Sequence, residues 1–377
     1  MKTDYDIAII GGGLAGLSLA ILAADASYKV ALIEKETYPF HKVCGEYISL
    51  ESYDFLMRLG LPLSEWNLPI IKKLQVSNLS GKVYNFPLDL GGFGISRYTI
   101  DNALYNLAKQ KGVDVFINEK VNDVSFENDV HSIQTNKKNI TAKIVAGAFG
   151  KRSNLDIKWK RNFVEKKANK LNNYLGVKYH IKTDVAKDII ALHNFKNGYC
   201  GISAIEDDKH CLCYLTNAEN LSANNNSIQQ MQENVLYKNA SLKKIFTESE
   251  FLYDAPLTIS QISFNQKTLI ENHVLLLGDA AGMITPLCGN GMSMAMHGAK
   301  LAYDEINSFL RQKISRNEME TNYAKNWKKQ FASRLAIGRM VQTLMGNEFS
   351  TGLFLKLMNA MPLLSKTIIR STHGKTF

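Results

Sequence analysis

Three glycines, Gly11, Gly13 and Gly16, constrain the fold of this chain more than any other feature. They follow an apolar run, Asp6 to Ile10, and precede an apolar stretch rich in leucine and alanine. A second apolar run, Lys29 to Ile33, comes next. This order predicts a strand, a tight turn, a helix and a second strand, which together make one βαβ unit.

The spacing G-x-G-x-x-G between a strand and a helix is typical of a dinucleotide-binding turn. The first glycine allows the tight turn, the second lets the backbone approach a pyrophosphate, and the third lets the helix pack on the strand. The phosphates would lie at the helix N-terminus. Glu34, about 20 residues further on, is placed to bind the adenosine ribose. A glycine turn without a ligand is the alternative, and the turn alone leaves NAD and FAD open.

A second glycine-rich segment covers residues 275–298. Its apolar strand ends in a Gly-Asp pair at Asp279, and a loop with Gly289 and Gly291 then opens a helix of small residues and methionines. The segment resembles the Gly-Asp motif of the flavoprotein family that includes p-hydroxybenzoate hydroxylase and the geranylgeranyl reductases. The resemblance implies that FAD is the cofactor, that Asp279 binds its ribityl chain, and that the amides at Gly291 and Met292 face the pyrimidine edge of the isoalloxazine. A helix N-terminus there would stabilise the negative charge of reduced flavin.

Two shorter segments carry the same resemblance. Ser96 to Leu104 is similar to the family's Arg-x-x-Leu-Asp-x-x-Leu signature, whose arginine, here Arg97, reaches FAD. His41 to Ser49 resembles the Lys-x-Cys-Gly-Gly segment of the geranylgeranyl reductases, which implies that Cys44 and Gly45 lie beside the flavin. Whether Cys44 acts in catalysis or is an inert buried thiol stays open.

The predicted FAD-binding and catalytic residues extend these motifs to their neighbours. The predicted FAD-binding residues are Gly11, Gly13, Leu14, Ala15, Gly16, Glu34, Lys35, Lys42, Cys44, Gly45, Arg97, Val121, Asp279, Gly289, Asn290, Gly291 and Met292. The predicted catalytic residues are Cys44 and His297, and a purely structural histidine is the alternative for the second. No acid–base pair stands out by its spacing, and His210, Tyr199 and Glu206 flank a predicted strand without a clear role. Because the flavin carries the hydride in such enzymes, the protein needs to supply little beyond orientation of the substrate and exclusion of water.

The chain departs from the family at several motifs. Glu46 and Tyr47 replace glycines of the reductases and could narrow the pocket. Phe149 stands where the hydroxylases have an aspartate that supports FAD and the encounter with NAD(P)H. Direct use of nicotinamide is therefore in doubt, and NAD(P)H or another transient electron donor stays open. Residues 198–204 lack the tryptophan and proline of a reductase motif, and the halogenases' Trp-x-Trp-x-x-Pro is missing, which disfavours halogenation.

Length and composition bound the class of protein. A chain of 377 residues predicts two domains. The acidic N-terminus does not resemble a signal peptide, and Asp279, Pro286 and several glycines interrupt the longest apolar stretch, so no transmembrane helix is expected. Five irregularly spaced cysteines predict reduced thiols and no metal site. We therefore expect a cytoplasmic protein.

The net charge of +10 is concentrated in the last part of the chain. Residues 311–377 contain 12 lysines and arginines against 3 acidic residues. This basic segment has three interpretations: a solvated helical face, contact with an anionic membrane surface, or contact with an acidic carrier protein. Nucleic acid binding is not expected, because nothing resembles a recognition module. A second basic group that could join the surface comprises Lys151, Arg152, Lys158, Lys160, Arg161, Lys166, Lys167 and Lys170.

These patterns predict an α/β fold with a doubly wound, Rossmann-like FAD-binding domain interleaved with an α+β domain built on an antiparallel sheet. Residues 1–68, 94–158 and 265–308 are assigned to the FAD-binding domain, residues 69–93 and 159–264 to the substrate domain, and residues 309–377 to a helical C-terminal segment. The expected function is FAD-dependent reduction or dehydrogenation of an apolar or carrier-bound small molecule. The alternatives are a monooxygenase of an aromatic or quinone precursor and a non-catalytic or electron-carrying flavoprotein.

Overall fold

The predicted βαβ unit forms at the N-terminus of the computed structural model, which describes residues 2–164 and 172–377. The strands are β1 (Tyr5–Ile10), β2 (Val30–Ile33), β3 (Tyr47–Ser49), β4 (Ile70–Ser77), β5 (Val83–Gly94), β6 (Asp114–Phe116), β7 (Val121–Glu127), β8 (Val130–Thr135), β9 (Asn139–Gly147), β10 (Tyr174–Lys182), β11 (Ile189–Phe195), β12 (Gly198–Ala204), β13 (His210–Asn217), β14 (Glu250–Phe251), β15 (Leu257–Ile262), β16 (Ile270–Glu271) and β17 (Val274–Leu276). The α-helices are α1 (Leu14–Asp25), α2 (Tyr53–Leu59), α3 (Arg97–Gln110), α4 (Asn154–Lys158), α5 (Ala218–Ser222), α6 (Ile228–Asn234), α7 (Ala240–Glu248), α8 (Gly291–Leu310), α9 (Arg316–Leu344), α10 (Glu348–Ala360) and α11 (Pro362–Thr372).

The first sheet has the strand order β16-β17-β9-β1-β2-β6, and β7 and β8 extend it from β9 as antiparallel strands. Strands β17, β9, β1, β2 and β6 run parallel to one another. Parallel strands are covered on both faces and therefore read as continuous apolar runs, as β2 does with every residue buried. Helix α1 packs against α3 and α8.

The second sheet has the order β14-β10-β13-β12-β11-β4-β5-β3, with β15 beside β10. Its pairs are antiparallel except β11 with β4. One face packs against α6 and α7 through an apolar cluster that includes Leu212, Tyr214, Leu242 and Phe246. The predicted interleaved α/β architecture is thus confirmed. One difference is β3, which lies within the range assigned to the FAD-binding domain but pairs with β5 of the second sheet.

The C-terminal segment consists of α9, α10 and α11. Helix α9 packs on α8, while α10 and α11 lie against β5 of the second sheet. Helices α10 and α11 are bent by 110° relative to each other. Among the described helices, none alone is long and apolar enough to span a membrane, and α10 with α11 passes that test only as a bent pair.

Candidate active site

Two helix N-termini that lack a side-chain cap lie on either side of Asp279. Helix α1 begins after Gly13, which has no side chain, and α8 begins after Asn290, whose side chain accepts from no first-turn amide. By contrast, Ser or Asn side chains cap α3, α7, α9 and α10. A Cβ added at Gly278, next to Asp279, would lie 3.3 Å from Ala15 of α1 and 3.5 Å from Ala295 of α8. Uncapped first-turn amides are free to bind an anionic or oxygen-rich ligand.

The glycine turn has the close approaches that the sequence predicts. Gly11 has φ +103°, and a Cβ there would lie 2.5 Å from the carbonyl oxygen of Ala148. A Cβ at Gly16 would collide with the carbonyl oxygen of Gly11. At Gly13, however, the nearest atoms to an added Cβ are Arg97 Nη2 at 3.7 Å and Lys42 Nζ at 3.9 Å. The surface at Gly13 therefore faces two cations rather than the packed interior.

Asp101 holds both of those cations in place. Its carboxylate accepts from Arg97 Nε at 2.8 Å and Nη2 at 2.6 Å, and from Lys42 Nζ at 3.0 Å. Burial alone would raise the pKa of Asp101, but the charges of Arg97 and Lys42 and their hydrogen bonds hold it below its ordinary value. Two cations against one carboxylate leave a net positive charge beside Gly13 and the start of α1. This arrangement fits the diphosphate of a dinucleotide.

Glu34 organises the same turn. Its Oε2 accepts from the Gly12 amide at 2.8 Å, and its Oε1 accepts from the Glu36 amide at 3.0 Å. Lys35 instead points to solvent, with a side chain that is 67% exposed and 3.4 Å from Glu36. Val121 is buried at the start of β7, where its carbonyl accepts from Asn154 Nδ2 at 3.1 Å. Contacts of these residues with the cofactor stay predictions.

A small cavity opens beside the N-terminus of α8. Its lining brings together two residues predicted from separate parts of the motif, Asp279 and Gly291. The loop before α8 turns at Gly289 with φ +63°, and a Cβ there would lie 3.0 Å from the ring of Tyr47. The full lining is Gly278, Asp279, Gly282, Ile284, Gly291, Met294, Ala295 and Trp327. The lining thus brings the Asp279 carboxylate and the start of α8 together, the two groups that the resemblance assigns to the ribityl chain and the ring edge of FAD.

The segment with Cys44 and Gly45 is held against the second sheet through its carbonyl groups. Lys178 Nζ donates to the Lys42 carbonyl at 3.1 Å, and Cys211 Sγ donates to the Cys44 carbonyl at 3.1 Å. Ser203 Oγ donates to the Gly45 carbonyl at 3.0 Å. Among the described residues, none has an atom within 4 Å of a Cβ added at Gly45, and Cys44 is only half-buried. In the described part of the chain, the side of Gly45 on which a Cβ would project is therefore open.

Glu46 ties this segment to both domains, a role that the sequence did not reveal. The carboxylate is fully buried, pairs with the buried ammonium of Lys178, and accepts from His180 Nε2 at 2.6 Å and the Arg97 amide at 2.8 Å. Burial favours the neutral acid, but His180 and Lys178 hold the pKa of Glu46 below its ordinary value. The carboxylate likewise outweighs burial at Lys178 and raises its pKa. The available signal was two polar residues, Lys178 and His180, on one face of an otherwise apolar strand.

The side chains of Glu46, His180 and Cys211 also come within 4.8 Å of one another, as the ligands of a metal ion would. However, the ammonium of Lys178 already neutralises Glu46, and Cys211 donates to a carbonyl. A divalent ion would have to displace both partners and lie beside a buried ammonium. These contacts explain the cluster as a structural ion pair.

A second buried group, which the sequence also did not reveal, lies behind the loop before α8. Burial raises the pKa of Glu51, although Arg334, the Asn290 side chain and the Gly374 amide act to lower it. Arg334 Nη1 is 3.5 Å from Glu51 Oε1, and Asn290 Nδ2 donates to the Thr372 carbonyl at 2.8 Å. The predicted loop residue Asn290 therefore contacts the C-terminal segment.

His297 lies on α8 but does not line the cavity. Its ring stacks on Phe377 with centroids 4.1 Å apart and meets Phe331 edge-on at 5.4 Å. Burial lowers the pKa of His297 to about 4. A neutral histidine between two aromatic rings has the surroundings of a packing residue, and its catalytic role stays a prediction.

The remaining candidates have structural partners. Glu206, in the turn after β12, accepts from the Ser96 amide and the Thr99 hydroxyl at 2.7 Å each, so the second sheet contacts the N-terminus of α3. His210 Nε2 is 2.9 Å from the Val185 carbonyl, and Tyr199 is buried. Phe149 folds over Gly147, whose added Cβ would lie 2.7 Å from the phenyl ring.

The second basic group does not form one exposed surface. Arg161 is 1% exposed, pairs with Asp156 at 2.6 Å, and donates to the Ala280 carbonyl at 2.9 Å. It therefore supports the loop after Asp279 from the interior. Lys166, Lys167 and Lys170 lie outside the described residues.

Comparisons with known proteins identify the cofactor. A protein-family model described as "FAD binding domain" matches residues 4–328. The chain is 24% identical to conditioned medium factor receptor 1 of Dictyostelium discoideum over 89% of this chain and 70% of that protein. It is 23% identical to digeranylgeranylglycerophospholipid reductase 1 of Methanococcoides burtonii over 91% of this chain and 84% of the reductase.

Solved structures agree with the fold. The flavin-dependent brominase Bmp2 superposes with a TM-score of 0.80 at 18% identity, covering 98% of this chain and 93% of the brominase. At that identity the likeness shows the fold alone. The predicted flavoprotein family and FAD-dependent fold are confirmed. The chain belongs to the FAD binding domain family and is an FAD-dependent enzyme.

Proposed function

We propose that the protein is an FAD-dependent reductase or dehydrogenase of an apolar or carrier-bound small molecule. One observation carries this proposal. Met283 and Leu287, in the loop between Asp279 and α8, belong to an apolar cluster with Leu215 of the second sheet and Leu355 and Met358 of α10. A substrate that reaches the flavin loop from the second sheet therefore meets apolar side chains, which favour an apolar molecule.

The acids and histidines described around the loop support the same reaction class. Glu46 is paired with Lys178, Glu51 lies beside Arg334, and His297 is enclosed by aromatic rings. Glu46 and His297 are therefore not positioned as a free general acid or base. FAD, when bound, supplies hydride transfer, a reaction in which the protein contributes orientation and exclusion of water.

The chain's own residues perform those tasks. Arg97 and Lys42, held by Asp101, bind the diphosphate and fix the cofactor lengthwise. The uncapped amides at Gly291 and Met292 stabilise negative charge at the ring edge. The apolar cluster around Met283 excludes water from the reacting face. Digeranylgeranylglycerophospholipid reductase, which by its name acts on an isoprenoid lipid, is a precedent for such a substrate in a related chain.

A monooxygenase is the second candidate. The observation that favours it is the buried hydroxyl of Tyr47, which has no hydrogen-bond partner among the described residues although its ring lies against Gly289. A phenol or quinone group could satisfy that hydroxyl. The brominase likeness brings no halogenating activity to this chain, and the argument against halogenation stays a prediction.

Anaerobic reoxidation of the reduced enzyme separates these candidates. The holoenzyme is reduced chemically and mixed without oxygen with polyprenyl compounds and, separately, with aromatic and quinone compounds. A reductase recovers its oxidised-flavin absorbance with an apolar acceptor in the absence of oxygen. The proposal is wrong if reoxidation always requires oxygen and labelled oxygen appears in the product. If no compound in either set changes the rate and oxygen is not incorporated, an electron-carrying flavoprotein is favoured instead.

A further inference from the structure

Exposed apolar side chains concentrate at the corner between α10 and α11. Seven of the twelve exposed large hydrophobic residues in the described part of the chain lie between positions 340 and 364. Phe349 is 80% exposed and Leu363 is 83% exposed. We call this surface the apolar corner. It consists of Met340, Phe349, Leu353, Leu357, Met361, Leu363 and Leu364.

The apolar corner is the outer face of an amphipathic pair of helices. Phe349, Leu353 and Leu357 recur every four residues and so lie on one side of α10. Leu355 and Met358 lie on the opposite side, buried against the second sheet and the flavin loop. Every residue from position 359 to 364 is exposed, which places Leu363 at the projecting end of the bend. The inner face already fills the core contact, so the outer apolar residues are not needed for folding of the chain.

Basic residues outnumber acidic ones in the segment that carries the apolar corner. Residues 339–377 contain five lysines and arginines and one acidic residue. Lys356 is exposed between Leu353 and Leu357. Lys366 and Arg370 share one carboxylate, that of Asp89, at 3.2 and 3.5 Å. An apolar stripe with cations on its flanks is the composition of a helix that lies in a membrane interface.

We propose that the apolar corner docks on the surface of an anionic lipid bilayer, with Phe349 and Leu363 inserted below the headgroups. A second copy of the chain is a poorer occupant, because a two-fold contact would bring the same cations face to face. An acidic protein would complement the basic residues. However, its carboxylates would lose water against the apolar stripe, which is unfavourable. Docking follows from the exposed residues alone and does not depend on which reaction the flavin performs.

Part of the apolar corner lies on the same helix as residues that contact the flavin loop, so docking would bring a lipid surface close to that loop. Leu353 and Leu357 are exposed on the outer side of α10, and Leu355 and Met358 of the same helix belong to the apolar cluster that contains Met283. If the proposed function is correct, an apolar substrate could pass from the lipid to the flavin loop along this helix. This consequence rests on the proposed function, whereas the docking itself does not.

Co-sedimentation of the holoenzyme with lipid vesicles tests the docking. One set of vesicles contains phosphatidylcholine alone and the other contains phosphatidylglycerol as well. We expect the protein to bind the anionic vesicles and to release partly at high salt. Phe349→Ser with Leu363→Ser should weaken binding by about tenfold or more, because the inserted apolar area is lost. Lys356→Gln should weaken it less, in proportion to the one charge that is removed.

The control is Ile157→Ser, which removes a large apolar side chain that is 54% exposed on α4, outside the corner. It should bind vesicles like the wild type. Flavin content and the thermal midpoint show that each variant is folded, and Leu363→Ser alone serves if the double variant is not. The proposal is overturned if the wild type ignores anionic vesicles, or if the double variant binds as well as the control. A dimer that the double variant dissociates, without vesicle binding, would identify a second copy as the occupant.

Discussion

Arg97 and Asp101, one turn apart on α3, form a two-point ion pair with Nε–Oδ1 at 2.8 Å and Nη2–Oδ2 at 2.6 Å. The same carboxylate accepts from Lys42, which is carried by the segment that leads to Cys44 and Gly45. One buried carboxylate thus fixes two cations from separate parts of the chain at the glycine turn.

Replacing that carboxylate should weaken the cofactor site and the fold together. Asp101→Asn leaves the Arg97 guanidinium buried without its counterion, which costs about 3 kcal/mol or more of unfolding free energy. Both cations also lose their fixed position, so FAD should bind at least about tenfold more weakly. Urea unfolding of the apoprotein and fluorescence titration with FAD measure the two effects. Wild-type affinity in Asp101→Asn would contradict the role given to Arg97 and Lys42.

Because Glu46 and Lys178 form a buried ion pair, the effects of their substitutions on the unfolding free energy should not be additive. Glu46→Gln leaves a buried ammonium unpaired and should lower the unfolding free energy by about 3–5 kcal/mol. Adding Lys178→Met should restore much of that loss, since no buried charge remains. Glu65→Gln, at an exposed position, is the control. Additive losses in the double variant would show that the two residues do not act as a pair.

Glu51 predicts a pH dependence of stability. Its pKa is raised in the folded protein, so the unfolded chain ionises first as pH rises. The stability contributed by the neutral acid is fully present below about pH 4.3, the pKa of a glutamate in the unfolded chain. It is lost as pH rises through the pKa of Glu51 in the folded protein. The unfolding free energy of Glu51→Gln should therefore rise relative to that of the wild type as pH increases. Above the folded pKa of Glu51, the difference between the two proteins should become constant. A constant difference in thermal midpoint across that range would contradict the shift.

His297 predicts the opposite dependence. Its folded pKa of about 4 lies below the ordinary 6.5, so its stabilising neutral form is lost as pH falls from 6.5 towards 4. His297→Phe should reduce this acid sensitivity and keep wild-type turnover, because the phenyl ring can stack on Phe377. A turnover loss of more than about tenfold at unchanged flavin content would instead support a catalytic role.

Cys44 is tested by turnover. Cys44→Ser should retain FAD, since its backbone carbonyl rather than its thiol is held by Cys211, and it should alter the rate of the flavin reaction. Cys213→Ser is a matched control on the facing strand. Unchanged kinetics in Cys44→Ser would make this thiol a packing residue.

The sequence predicted those features that depend on local backbone geometry. The turn at Gly11 and Gly16 and the loop at Gly289 have close approaches or a left-handed φ that glycine accommodates, so their motifs are visible in the chain. The Asp279 loop was recognised for the same reason. These local motifs were sufficient to predict the fold class and the cofactor.

Features that depend on distant contacts were not predicted. Glu46 and Lys178 are 132 positions apart and meet only because β10 lies behind the Cys44 segment. The strand Tyr47–Ser49 is three residues long, too short for an alternating pattern to show which sheet it joins. Burial of Arg161 likewise depends on contact with the loop after Asp279, which is distant in the sequence. For this reason, Arg161 is grouped with the surface cations when only the sequence is considered.

The most direct test of the account is FAD retention in Gly13→Ala. In the described part of the chain, the atom nearest to an added Cβ at Gly13 is Arg97 Nη2 at 3.7 Å, so the apoprotein should fold with the wild-type unfolding free energy. The same methyl group would occupy the surface that the diphosphate must approach, so FAD binding should weaken by about a hundredfold. Gly352→Ala, where no atom of residues 2–164 or 172–377 lies within 4 Å of the added Cβ, is the control and should keep its flavin. A Gly13→Ala protein that purifies with full flavin content and wild-type affinity would contradict the account.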